Sequence, residues 1–137
     1  AYAPDANVAI PEGVQATTFI ADMATAYRAA DVVVSRAGAS TISEIQLLGK
    51  AAVLVPSPNV AENHQYHNAM ALVKRDAAVL VTDADAMRDL GGAVLGLLAD
   101  PTRRETLAAN AAAMGRPEAT ATIVNIIEDT VQQSHTL

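Results

Sequence analysis

Asp31-Val32-Val33-Val34-Ser35-Arg36-Ala37-Gly38-Ala39-Ser40-Thr41-Ile42-Ser43-Glu44 is the stretch on which the fold turns. Its first half is β-branched and apolar at consecutive positions. A strand that lacks polar alternation suits a parallel sheet covered on both faces. Within a few residues it gives way to a small-residue turn, and then to Ile42, Ile45 and Leu48 at helical spacing. The same succession recurs downstream. Ala52-Val53-Leu54-Val55 precedes a helical pattern over Asn63–Arg75, with Tyr66, Met70 and Val73 on one face. Ala77-Ala78-Val79-Leu80-Val81 precedes another over Asp85–Ala99. Helices alone follow, over Pro101–Met114 and Glu118–Gln133, with Pro101 at a start and Gly115 at an end. Upstream, Asp22–Ala30 carries Met23, Ala26, Tyr27 and Ala30 on one helical face. Thr17–Ile20 is a weaker fourth strand candidate, Val8–Ile10 a fifth, and Ser134–Leu137 is expected to fray. The expectation is an α/β fold: a Rossmann-like parallel sheet with helices on both faces.

Composition supports one core-forming domain. The chain has 137 residues, 51% of them apolar and 18% charged, which excludes wholesale disorder. The only aromatic residues are Tyr2, Phe19, Tyr27 and Tyr66, so the core must be built from Ala, Val, Ile and Leu. Nine Lys and Arg against fifteen Asp and Glu leave a net charge of −6. That balance offers no footprint for a nucleic-acid polymer. It still permits one phosphorylated small molecule, held by backbone N–H groups. Absence of Cys excludes thiolate chemistry and disulfides. No apolar run reaches the ~18–20 residues of a membrane-spanning helix. The start, Ala1-Tyr2-Ala3-Pro4-Asp5, has neither an initiator Met nor a signal-peptide pattern, and reads as a cut inside a longer chain.

Chemistry is expected where strands end and helices begin, since open parallel sheets bind ligands beyond the carboxyl ends of their strands. At the first such junction Gly38 allows a tight turn or close ligand approach. Ser40 or Thr41 is expected to cap the helix, and Ser43 and Glu44 to sit in its first turn as an approximate capping box. A helix N-terminus behind a small-residue loop suits an anion such as a diphosphate. Gly38-Ala39-Ser40 could also be read as a nucleophile elbow, but Ile42 would crowd a turn that requires a second small residue. The second junction runs Val55-Pro56-Ser57-Pro58-Asn59-Val60-Ala61-Glu62-Asn63-His64-Gln65-Tyr66-His67-Asn68. Its amides and imidazoles suit the hydroxyls of a sugar. His64 and His67 with Glu62 could instead hold a metal, but no further ligand has clear spacing. No metal or cofactor is expected.

Taken together and in this order, the two junctions resemble the C-terminal domain of the MurG family of UDP-N-acetylglucosamine transferases. Thr18-Phe19-Ile20-Ala21-Asp22-Met23 and Leu48-Gly49-Lys50 fit it as well. The resemblance implies a glycosyltransferase-B fold, in which two Rossmann-like domains face each other across a cleft and the C-terminal one holds UDP-GlcNAc. By position, Glu44 would take the ribose hydroxyls and Ile20 would lie against the uracil. Ala39, Ser40 and Thr41 would meet the phosphates, and His64, Gln65 and Asn68 would face the GlcNAc and the phosphate side. Residues 1–137 would be a partial donor domain, lacking its first βαβ unit with a Gly-Gly-Ser-x-Gly loop and the whole acceptor domain. The catalytic base would lie in the missing part, so this piece alone is expected to be inactive. Lipid I, and peripheral contact with the cytoplasmic face of the bacterial inner membrane, would be reached through the missing domain. Exposed apolar surface on the piece would favour self-association. Two departures stand out: His64-Gln65 where the family often has two Gln, and Ala51 in place of an expected Pro. Alternative readings are the binding half of a two-chain UDP-GlcNAc transferase, or another UDP-sugar enzyme, an epimerase or lipid glycosyltransferase, on the same scaffold.

Overall fold

The computed structural model describes residues 9–134. The chain divides into two compact units, residues 1–30 and 31–137.

In the first unit, helix α1 spans Met23–Ala29. Asp22 caps it, accepting from the Thr25 N–H at 3.0 Å and the Thr25 hydroxyl at 2.6 Å. These bonds hold the Asp22 carboxyl below its ordinary range. The strand expected over Thr17–Ile20 does not form. A short β-branched run has no ladder without a neighbouring strand. Here the Thr17 hydroxyl instead donates to the Phe19 carbonyl at 2.8 Å and accepts from the Phe19 N–H, closing a local turn. Of the other candidate, Ala9 and Ile10 are not in a strand, and Val8 lies outside the described residues. The expected frayed end lies outside them too, apart from Ser134, which closes the last helix.

The second unit carries the sheet. β1 (Val33–Ser35), β2 (Ala52–Leu54) and β3 (Val79–Leu80) are parallel, in the order β1-β2-β3. Val33 pairs with Ala52 and Ser35 with Leu54; Val53 pairs with Val79 and Leu54 with Leu80. The helices are α2 (Ala39–Leu48), α3 (His64–Val73), α4 (Ala86–Ala99), α5 (Pro101–Met114) and α6 (Ala119–Ser134).

β2 explains the unbroken apolar runs. Ala52 and Leu54 point into a cluster with Ile42, Ile45, Ala69 and Leu72, from α2 and α3. Val53 and Val55 point the other way, toward Leu97, Leu107 and the α4 residues Leu90 and Val94. Both faces of β2 are therefore covered, while Val34 of β1 stays exposed, and α5 supplies Leu107 to one cluster and Ala111 to the other. The core face of α3 differs from expectation. Ala69 and Leu72 are buried, while Tyr66 is exposed and Met70 and Val73 are only partly covered. Ile42 and Ile45 of α2 are buried as expected, whereas Leu48 is exposed.

Candidate functional site

The β1–α2 junction begins its helix earlier than the cap pattern implies. Gly38, not Ser40 or Thr41, is the N-cap: its backbone is extended (φ −67°, ψ 150°), and its carbonyl takes the Ile42 N–H at 3.0 Å. No side chain caps α2, and no acidic residue lies in its first turn. The capping box is therefore not formed, because the residues expected to cap already stand inside the helix. Ser43 donates to the Ala39 carbonyl one turn back instead. The consequence favours a ligand. The N–H groups of Ala39, Ser40 and Thr41 fall in the turn that has no intrahelical acceptors, and the helix dipole adds positive potential there. Ala39 and Ser40 are exposed and Thr41 is partly so.

Glu44 is exposed and stands four residues beyond Ser40. That spacing puts the two on one helix face, about 6 Å apart along the axis. Gly38 has a φ open to any residue, and a Cβ built on it would meet nothing within 4 Å. The protein's own packing does not require glycine here.

α3 meets this turn from the side. Asn68 donates to the Ala37 carbonyl at 3.1 Å, and Gln65 accepts the Ser57 N–H at 2.9 Å. Both amides thus fix loop backbone, a role the sequence reading did not give them. Asn63 and Glu62, just before the helix, are in the left-handed region, each at φ 53°. A conformation that L-residues rarely adopt is stored strain, of the kind that clusters at functional sites. His64 Nδ1 lies 2.9 Å from the Ala61 carbonyl. That contact requires Nδ1 to carry a proton, and in the neutral form of the ring, which is exposed, Nε2 is then an acceptor. His67 is exposed and meets Tyr66 edge-on. Among the described residues no three His, Asp or Glu side chains converge as a metal site.

Ile20 belongs to the first unit, in the irregular segment before α1, and is about half exposed. The other candidates, Ala39, Ser40, Thr41, Glu44, His64, Gln65 and Asn68, all lie on the second unit at its first two strand–helix junctions.

Arg36 was missed. Its Nη1 reaches the Val55 and Pro56 carbonyls at 3.2 and 3.4 Å and forms an ion pair with Asp83. The partners are 47 positions apart, so no local pattern announces them. The only available signal is position: Arg36 directly follows β1, and Asp83 lies in the segment between β3 and α4, three residues after Leu80. Two cavities bear on the site's location. One of about 630 Å³, lined by Ser43, Gln46, Leu47, Arg75 and Arg116 among others, is the larger but contains no strand-end loop. One of about 270 Å³ lies at the strand ends, against Arg36, Val55, Asp83 and Leu90. Neither lining includes Ile20, Ala39, Ser40, Thr41, Glu44, His64, Gln65 or Asn68.

A parallel sheet with helices on both faces, and a helix beginning beyond the end of each strand, defines a Rossmann-like domain. Residues 4–123 match the glycosyltransferase family 28 C-terminal domain, and the chain belongs to that family. The chain is 49% identical over 114 residues to the UDP-N-acetylglucosamine–N-acetylmuramyl-(pentapeptide) pyrophosphoryl-undecaprenol N-acetylglucosamine transferase of Cytophaga hutchinsonii, covering 83% of this chain and 31% of that protein. The transferase of the same name from Parabacteroides distasonis is 59% identical over 92 residues, covering 67% of this chain and 25% of the relative. A crystal structure of Acinetobacter baumannii MurG superposes with a TM-score of 0.77 at 33% identity, over 84% of this chain and 33% of that one. The chain thus spans about a third of the length of these relatives or less. The expected Rossmann-like fold of the glycosyltransferase-B kind is borne out.

Proposed function

We propose that this chain is the donor-binding part of an inverting glycosyltransferase that moves GlcNAc from UDP-GlcNAc to lipid I, forming lipid II. The observation that carries the reading is the uncapped N-terminus of α2, with Glu44 on the same face as Ser40. The diphosphate meets the N–H groups of Ala39, Ser40 and Thr41. The ribose diol meets the Glu44 carboxylate about one helical turn further along. His64 offers Nε2 to a sugar hydroxyl. Gln65 and Asn68 keep the remaining valences of their amides for the GlcNAc and phosphate side while anchoring the loops.

In the transfer, the C4 hydroxyl of the muramyl sugar attacks the anomeric carbon of GlcNAc from the face opposite the diphosphate. The new C–O bond forms as the bond to the β-phosphate breaks. UDP leaves, and the configuration inverts. Negative charge grows on the departing diphosphate, where fixed N–H dipoles stabilise it without rearranging. The proton of the attacking hydroxyl goes to a base outside residues 1–137. The acceptor domain, lipid I and contact with the cytoplasmic face of the inner membrane belong to that further chain. Among the described residues no helix is long and apolar enough to cross a membrane.

The test is a donor panel on the natural full-length protein with lipid I as acceptor. Transfer from UDP-GlcNAc, with UDP-glucose and UDP-GalNAc far poorer, is the expected result. Epimerised UDP-sugar with no transfer would replace this reading with the epimerase. Activity that appears only with a copurifying second polypeptide would replace it with the two-chain transferase.

A further inference from the structure

We infer that the Arg36–Asp83 ion pair is a positioning device for the diphosphate-binding turn, and that Arg36 is not itself a diphosphate ligand. This rests on the donor-site reading above. An arginine two residues before the N-cap of a phosphate-binding helix would ordinarily be assigned to the phosphates. Here its guanidinium points across the ends of the strands. It leaves β1, donates to the Val55 and Pro56 carbonyls beyond β2, and reaches the Asp83 carboxylate beyond β3. One side chain therefore ties together the loops that follow all three strands.

Asn68 of α3 holds the same turn, donating to the carbonyl of Ala37, a fully buried residue. Between these two anchors, Arg36 and Ala37, the backbone has little freedom before Gly38 opens α2. The direction in which the N–H groups of Ala39, Ser40 and Thr41 point is thus set by two side-chain anchors on the residues just before them. Stability is a poor explanation for the pair. Its side chains are 54% and 38% exposed, and ion pairs at such exposure contribute little to folding. What the pair does achieve is a fixed geometry among three loops that converge where the ligand binds.

Asp83→Asn in the full-length protein separates the possibilities, read by UDP affinity in calorimetry, by KM and kcat for UDP-GlcNAc, and by Tm. If Asp83 only withholds a phosphate-seeking Arg36, removing its charge frees the guanidinium and UDP binds more tightly. If the pair positions the turn, UDP affinity falls and KM for UDP-GlcNAc rises by about 5-fold or more, within the range of ordinary site-to-site coupling. kcat and Tm then change little, and Asp83→Glu restores affinity. Arg36→Lys is the second variant. It keeps the charge but loses the planar fork that spans several acceptors, so it too weakens UDP binding. Tighter binding by Asp83→Asn, or unchanged affinity in both variants, overturns the inference. Failure of the wild-type protein to bind UDP at all overturns the donor-site reading and this inference with it.

Discussion

Glu44 is the residue on which the donor-site reading can be tested most sharply. It shares a helix face with Ser40 and stands clear of the first turn, where a capping carboxylate would sit. The bland role, satisfying the α2 N-terminus, is therefore closed to it by position. A vicinal diol gives a carboxylate two charge-assisted hydrogen bonds, each contributing ~1.5–3 kcal/mol and partly replaced by water when lost. Glu44→Ala is expected to cost about 2–4 kcal/mol of donor binding, a KM rise of about 30-fold or more at ~1.4 kcal/mol per decade. Glu44→Gln keeps the shape but accepts a diol less well, and should fall between the two. A Glu44→Gln enzyme with wild-type KM for UDP-GlcNAc would remove Glu44 from the ribose.

At the scale of elements, the α2–β2 turn shows what local sequence announces and what it leaves out. Gly49 ends α2 in the left-handed region at φ 56°, as the helix-then-strand pattern invites. Its second constraint is tertiary. A Cβ there would lie 3.2 Å from the Ala112 Cβ and 3.3 Å from the Ala108 carbonyl, both on α5. Gly49→Ala thus combines left-handed strain, about 1–2 kcal/mol, with a tight contact. Chemical denaturation should show a loss of about 1–3 kcal/mol, and a loss below ~0.5 kcal/mol would mean that α5 gives way freely. β2 was legible for a similar local reason: a strand buried on both faces must be apolar at every position, as Val53 and Leu54 are, while β1 keeps its apolar run with Val34 exposed. The core face of α3 was not. Size pointed to Tyr66 and Met70, but the tight fit against the sheet selects Ala69, which is fully buried, and Leu72 beside it. Thr17–Ile20 misled because β-branching favours a strand only where another strand is there to pair with. In the site, the small-residue loop and Glu44 stood out in the sequence. The Arg36–Asp83 pair and the bonds from Asn68 and Gln65 to loop backbone did not, since they exist only once distant loops are brought together.

Over the second unit as a whole, the apolar surface is not all inside. On α4, Met87, Leu95 and Leu98 are exposed along one stripe, with Gly91 between them and open space where its Cβ would be. On α6, Ile123, Ile126, Ile127 and Val131 follow helical spacing and are each about half exposed or more. Contiguous apolar faces of this kind mark surfaces that associate. The net charge of −6 opposes association, but at physiological ionic strength its reach falls to ~8 Å, and contacts between apolar stripes are not screened. The 137-residue chain is therefore expected to self-associate, its light-scattering mass rising with concentration and rising further with salt. Ile126→Lys with Ile127→Lys tests the α6 stripe, and Leu95→Lys tests α4. Exposed substitutions of this type change stability by only about 0.5 kcal/mol, so a drop in mass reports the interface rather than unfolding. If the α6 stripe dominates, the double variant scatters as a monomer while Leu95→Lys still associates, and the reverse outcome assigns the contact to α4. A constant monomer mass for the unsubstituted chain across the concentration range would show that neither stripe is sticky enough to pair.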